Sequence, residues 1–262
     1  MKSKLTFLFA FVSMVAMAQP KGKWKQLFNG KNLKGWEVKI AGHELNDNFA
    51  NTFRVKDGLL QVNYDGYDNF NDQYGHIFYK KPYSYYLLAV EYRFVGNQVK
   101  GGADWAYKNS GIMIHCQPPS TMLKAQDFPI SIEVQLLGGD SGKTRPTCNL
   151  CTPGTNVVKD GKLFTDHCTN SSSPTFVGDQ WVRAEVLVLG DSIIKHIVNG
   201  DTVLQYSKPQ MGGGVVSNYD PAIKKDGMIL SSGYISLQSE SHPVEFRKVE
   251  IMDLEKYYKK KK

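Results

Sequence analysis

A chain of 262 residues, 41% of them hydrophobic and with a formal charge of +7, is long enough for one sizeable all-β domain and carries ample apolar material for its core. Lys2, Lys4 and Lys259 to Lys262 hold most of the positive excess, so the body of the chain is near neutral. That excludes the basic surface with which nucleic-acid binders track phosphates, and leaves the C-terminal lysines as a solvated tail.

From the start, Lys2 and Lys4 precede an apolar run from Leu5 to Ala16 and then Ala16-Met17-Ala18. This is the layout of a cleavable export signal over residues 1–18, with cleavage before Gln19 and a secreted or periplasmic product. The run is too short to span a bilayer, and no later stretch reaches the about 20 residues a span requires. Residues 19–262 are expected to form a single β-sandwich domain. Short alternating runs predict strands at Thr52–Val55, Leu59–Val62, Ile77–Phe78, Tyr85–Phe94, Gly111–Gln117 and Ile130–Leu137. Further runs follow at Trp181–Leu189, Ser192–Val198, Thr202–Tyr206, Gly233–Gln238 and Val244–Leu254. Lys56-Asp57-Gly58 and Asn199-Gly200 are hairpin turns, since both central residues of such turns take positive φ. Strands joined by hairpins argue for two packed antiparallel sheets.

The interval 138–179 reads as a long loop rich in Gly, Thr, Asn, Ser and Pro, and holds three of the four cysteines. A loop of that length is expected to be functional or stapled. An oxidising compartment favours disulfides, and of the three possible pairings Cys151–Cys168 with Cys116–Cys148 is the one expected. Free thiols, or a metal held by Cys148-x-x-Cys151 with Cys168 and His167, are the alternatives.

Residues two apart on a strand share a face. Ile132, Val134 and Leu136 oppose Glu133, Gln135 and Leu137. Leu88, Val90 and Tyr92 oppose Ala89, Glu91 and Arg93. Ile112 and Ile114 oppose Met113, His115 and Gln117, and Ile235 and Leu237 oppose Ser236, Gln238 and Glu240. Arg183 and Glu185 face away from Val182 and Ala184, while His196 shares its side with Ile194 and Val198. Faces mixing Glu, Gln, His and Arg with apolar neighbours fit the lining of a cleft, and equally a face washed by solvent. The tyrosines and carboxylates between Tyr64 and Tyr79 suit a sugar, whose ring has apolar faces and a polar rim.

Several segments in order resemble the 3-keto-disaccharide hydrolase family, a concanavalin-A-like jelly roll. They are Leu27-Phe28-Asn29-Gly30-Lys31-Asn32-Leu33-Lys34-Gly35-Trp36, Phe53-Arg54-Val55-Lys56-Asp57-Gly58-Leu59-Leu60, Val90-Glu91-Tyr92-Arg93-Phe94 and Asn109-Ser110-Gly111-Ile112. Ile132-Glu133-Val134-Gln135-Leu136-Leu137, Gly233-Tyr234-Ile235-Ser236-Leu237-Gln238 and Val244-Glu245-Phe246-Arg247-Lys248-Val249 complete the set. The chain departs from relatives in running Ile112-Met113-Ile114-His115 where an Arg is often reached, and in its longer Cys-bearing loop.

The resemblance implies an enzyme acting on sugars oxidised to a ketone at C3. Such a ketone acidifies the C2 proton. Its removal gives an enolate that expels the C1 substituent, and water then adds back. The site needs a base near C2, a group to hold the enolate oxygen and donors around the ring. Glu133 and His115 are the expected catalytic residues, and would be the ligands if a divalent metal took part as Lewis acid. Gln135, Glu91, Arg93, Asn109, Gln238, Arg145, Glu185 and His196 are the expected substrate contacts. A lectin-like sugar-binding module and a two-carboxylate glucanase are the rival readings, the latter weakened because no strand repeats acids on one face.

Overall fold

The computed structural model describes residues 22–258; the expected export signal and the terminal lysines lie outside them. Its strands are β1 (Trp24–Gln26), β2 (Trp36–Ile40), β3 (Phe53–Lys56), β4 (Leu59–Val62), β5 (Gly75–Tyr79), β6 (Tyr85–Phe94), β7 (Asn109–Cys116) and β8 (Ile132–Leu137). There follow β9 (Asn149–Cys151), β10 (Thr155–Lys159), β11 (Lys162–Phe164), β12 (Cys168–Thr169), β13 (Val182–Leu189), β14 (Ile193–Val198), β15 (Asp201–Met211), β16 (Tyr234–Ser239) and β17 (Val244–Asp253). One helical turn, α1 (Glu255–Tyr258), follows.

The strands form two antiparallel sheets. One has the order β11-β10-β15-β14-β13-β6-β17-β4-β3 with β1 also on β17; the other runs β12-β9-β8-β7-β16-β5-β2. All eleven strands expected from alternation are present. The Asn199-Gly200 turn has φ of 50° and 98° and joins Val198 to its partner Asp201, as a two-residue hairpin requires.

The core lies between the sheets, built from the apolar sets that the period of two defines. Ile112, Ile114, Ile132, Val134, Leu136, Ile235 and Leu237 from the shorter sheet meet Leu88, Val90, Tyr92, Val186, Val188, Val249 and Ile251 from the longer one. The opposite face of the shorter sheet is therefore the place where its polar residues collect. Among the described residues no helix is long and apolar enough to cross a membrane.

The interval 138–179 is more ordered than its composition implies, for it supplies β9 to β12. Strands of only two to five residues leave too short a run for alternation to register. Cys151 and Cys168 are directly opposed across β9 and β12 and form the expected disulfide, a bond that fits an oxidising compartment.

The second expected bridge does not form: Cys116 and Cys148 are free and buried. They belong to separate apolar clusters, Cys116 with Phe78, Met113 and Met122, Cys148 with the main core between the sheets. Replacing Cys151 and Cys168 together by Ser is expected to cost about 2–3 kcal/mol, the entropy of reopening a loop of 17 residues, read as a lower urea midpoint at unchanged m.

Candidate active site

The outward face of the shorter sheet presents two rows of cross-strand neighbours. Lys39, His76 and Gln238 are paired across β2, β5 and β16, and Gly111, Gln135 and Asn149 across β7, β8 and β9. The adjoining row is Phe78, Ser236, Met113, Glu133 and Cys151. Phe78 and Met113 fill one end of this face with apolar packing. The other end opens into a cavity of about 450 Å³ lined by Asn109, Glu133, Gln135 and Glu240 below and by Trp105, Phe128, Pro153, His167, Val215 and the Cys151–Cys168 bridge around them. That volume is ordinary for a small-molecule site.

Gly111 makes the floor possible. A Cβ there would lie 2.8 Å from Glu133 Oε1, 2.9 Å from its Cγ and 3.0 Å from Gln238 Oε1, so both side chains lie over the bare glycine backbone. Gly111→Ala is expected to lower kcat/KM by about 10²-fold through displaced reacting groups. The crowding itself costs about 1–3 kcal/mol, so steady-state kinetics beside urea unfolding separates the two effects.

Polar atoms on this floor are buried and unsatisfied. Glu133 Oε1, Glu240 Oε2, Asn109 Oδ1, both amide atoms of Gln238 and both ring nitrogens of His76 have no hydrogen-bond partner among the described residues. Buried polar groups normally have partners, so orphans gathered on one sheet face, with those of Glu133, Glu240 and Asn109 in the cavity itself, mark a surface shaped for a polar ligand. Burial pushes the Glu133 carboxyl up to about 8. Burial, then the proximity of Glu133, holds Glu240 well above the usual carboxylate range, against an opposing pull from Arg145. The result is two protonatable carboxyls in one cavity with no Lys or Arg among its lining residues.

An aromatic wall flanks them. Trp105 stacks on Tyr74 with centroids 6.0 Å apart, and Tyr74 meets Phe128 at 4.8 Å. Trp105 sits in the 3-10 turn Asp104–Ala106, whose place is fixed from below: Arg145 donates to the carbonyls of Lys108, Gly138 and Trp105.

Of the residues expected from sequence, Glu133, Gln135 and Asn109 line the cavity and Gln238 borders it over Gly111. His115 does not join them. It takes φ of 52° where the register of β7 against β16 shifts, and lines a different depression with Pro82, Gln117 and Ser232. The shift breaks the alternation that places His115 beside Met113, so Glu133 and His115 do not form a joint metal-ligand set.

Glu91, Arg93 and Glu185 lie on the outer face of the longer sheet, in ion pairs rather than in the cavity. Arg183 bridges Glu91, Glu185 and Glu250; Arg247 and Lys248 also meet Glu91; Arg93 pairs with Glu245. Arg93 and Arg247 each lie 4.7 Å from the Trp181 ring.

His196 is in the core, where Nδ1 meets the Cys148 carbonyl at 2.8 Å and Nε2 the Tyr206 hydroxyl at 2.9 Å. Arg145 braces backbone instead of facing the ligand space. His167 was expected only in the alternative metal reading, and Glu240, His76, Trp105 and Phe128 went unassigned by sequence reasoning. Of these only Glu240 carried a signal, sharing the polar side of its strand with Gln238.

Cys151, His167 and Cys168 bring their ligand atoms within 4.8 Å of one another. With the two sulfurs bonded to each other, no thiolate is present to bind a metal.

A two-sheet antiparallel sandwich, with buried carboxyls, amides and aromatic rings gathered over one sheet, defines a carbohydrate-active domain of the lectin-like jelly-roll class. Within that class the chain belongs to the family of 3-keto-alpha-glucoside-1,2-lyase-like domains, matched over residues 23–252. Two crystal structures from Parabacteroides distasonis ATCC 8503, both described provisionally as glycosyl hydrolases, share the fold. One is 19% identical with a TM-score of 0.52, over 88% of this chain and 100% of that one. The other is 21% identical with a TM-score of 0.50, over 89% and 94%. A Bacillus subtilis protein of unknown function with a galectin-like fold is 10% identical, with a TM-score of 0.52 over 90% and 98%. At these identities the likeness is one of fold. No curated protein matches the chain.

Proposed function

We propose that this protein is an exported enzyme that cleaves glycosides whose sugar ring carries a ketone at C3, by elimination across C1 and C2. The supporting observation is the pair of buried carboxyls, Glu133 and Glu240, in one cavity with the amides of Asn109 and Gln135, and with that of Gln238 at its border over Gly111. Glu133, ionised, takes the C2 proton, and the C–H electron pair forms the enolate through C3. Glu240, held protonated, donates to the C3 oxygen as charge develops there, the use made elsewhere of carboxylic acids kept neutral by an apolar site. The enolate then reforms the ketone, C1 and C2 become doubly bonded, and the C1 substituent leaves with its bonding electrons. Addition of water to the unsaturated sugar completes a net hydrolysis. The family description, a 1,2-lyase acting on 3-keto glucosides, agrees with this chemistry.

The second carboxyl comes from β16's end rather than from β8, which gives the two-carboxylate glycosidase reading new support. That mechanism needs one carboxylate ionised beside one acid. The elimination needs the same pair of states, but a carboxyl raised to about 8 is the stronger base that a weakly acidic C–H requires, and with the family description this favours proton abstraction next to a ketone. Incubation of the purified protein with a 3-keto-disaccharide and with the unoxidised parent separates the readings. Cleavage of the keto form alone, with deuterium from heavy water entering at C2, is expected. Cleavage of the parent sugar would install the glycosidase, and tight binding without turnover of either would leave a lectin.

A further inference from the structure

The cavity is chemically divided. Its floor offers Glu133, Glu240, Asn109 and Gln135, whereas its outer wall is Trp105, Phe128, Pro153, Val215 and the disulfide. Around that wall His167 is the polar side chain, and Lys and Arg are absent from the lining residues. Two of the wall residues are large apolar groups left in the open: Trp105 and Val215 are each 54% exposed.

Val215 is also held against its preference. Its φ is 57°, a left-handed conformation that is a genuine outlier for a β-branched residue. The glycines at 212–214 lead the chain into it, and Gly154 N–H donates to the Gly214 carbonyl to fix the approach. The next residue, Val216, is buried with Ile130, Met211 and Leu230 and anchors the loop to the body. A strained, exposed valine at the mouth of a cavity is a contact surface awaiting an apolar partner.

A second sugar ring in that position would set its hydroxyls against Val215, Pro153 and the disulfide, losing water without recovering hydrogen bonds. An aromatic ring would lose nothing there and would stack on the exposed indole. We infer, on the basis of the C3-ketone reading above, that the leaving group is an apolar aromatic alcohol, so that the substrate class is a 3-keto glycoside with an aryl-bearing aglycone rather than a 3-keto-disaccharide. In the cleavage the C1–O bond breaks, its electron pair stays on the aglycone oxygen, and that oxygen takes a proton from water.

Benzyl 3-keto-glucoside against a 3-keto-disaccharide tests this, because both release an aliphatic alcohol and the ratio reads the subsite rather than the leaving group. The wild-type kcat/KM ratio is expected to favour the benzyl compound by at least about 10-fold, the discrimination that apolar pocket contacts supply. Val215→Asn, polar and at ease with positive φ, is expected to shrink that ratio several-fold. A purely structural role for the loop would lower both substrates together and overturn the assignment, as would a wild-type ratio near one or favouring the disaccharide. Should neither compound be cleaved, the C3-ketone reading fails. Titration of tryptophan fluorescence with the same two ligands then still decides the subsite: tighter benzyl binding, weakened by Val215→Asn, supports it, and equal affinity overturns it.

Discussion

Glu133→Gln is expected to lower kcat by about 10³-fold with little change in KM, the effect of removing a positioned general base while keeping shape and polarity. Deuterium exchange at C2 should vanish with it, because in the proposed elimination the same group takes that proton. The pH profile of the wild type carries the sign of the mechanism. The base works only when ionised, and burial places its ionisation at about 8. The logarithm of kcat/KM should therefore rise with unit slope through the neutral range and bend over near that pH. In the proposed roles it falls again only where Glu240, held well above the usual carboxylate range by burial and by Glu133, gives up its proton. An ascending limb in the ordinary carboxylate range would show that the base is not the buried Glu133.

The same burial acts on stability in the opposite direction from a salt-bridged acid. Between the ordinary carboxylate pKa and about 8 the folded protein holds a proton on Glu133 that the unfolded chain releases. Stability therefore declines as pH rises through that window and is unaffected by this group below it. Glu133→Gln removes this group's share of the decline, leaving that of Glu240. The variant should be more stable than the wild type at pH 8 by ~2–4 kcal/mol and indistinguishable at pH 4, as measured by urea unfolding at each pH. A residue whose replacement strengthens the fold while abolishing turnover is one retained for chemistry.

The alternation of β8 was enough to find Glu133 and Gln135, because Ile132, Val134 and Leu136 fix which side is core and the other side must hold whatever remains. The same alternation in β6 brought forward Glu91 and Arg93, which lie on the other sheet among Arg183, Arg247 and Glu245. A period of two defines two faces but not which sheet a strand joins, so a cleft floor and a solvated ion-pair lattice look alike in sequence. His115 was lost to one extra residue in β7, since a bulge reverses every later side chain. His76 escaped notice because only Ile77 and Phe78 of β5 read as strand. Glu240 needed the third dimension: it stands more than a hundred residues from Glu133, and only the pairing of β16 with β7 and of β7 with β8 makes them neighbours.

Glu240 can be tested by a pair of substitutions that differ in one property. Glu240→Gln keeps an N–H donor at the position where a protonated carboxyl donates, and is expected to lower kcat by about 10-fold or less. Glu240→Leu keeps the volume but removes the donor, and is expected to lower kcat by about 10²–10³-fold, the usual effect of removing one donor from a site of developing negative charge. Both variants lose the alkaline limb of the pH profile, because no group remains there to release a proton. Burial sets the Glu133 ionisation while Glu240 is still protonated and uncharged, so the ascending limb keeps its place in each. If Glu240 were instead the base, Gln and Leu would be equally inactive and the ascending limb would disappear with them. Equal, modest losses in both, with the alkaline limb intact, would reduce it to a wall of the cavity and return the stabilisation of the C3 oxygen to Asn109 and Gln238.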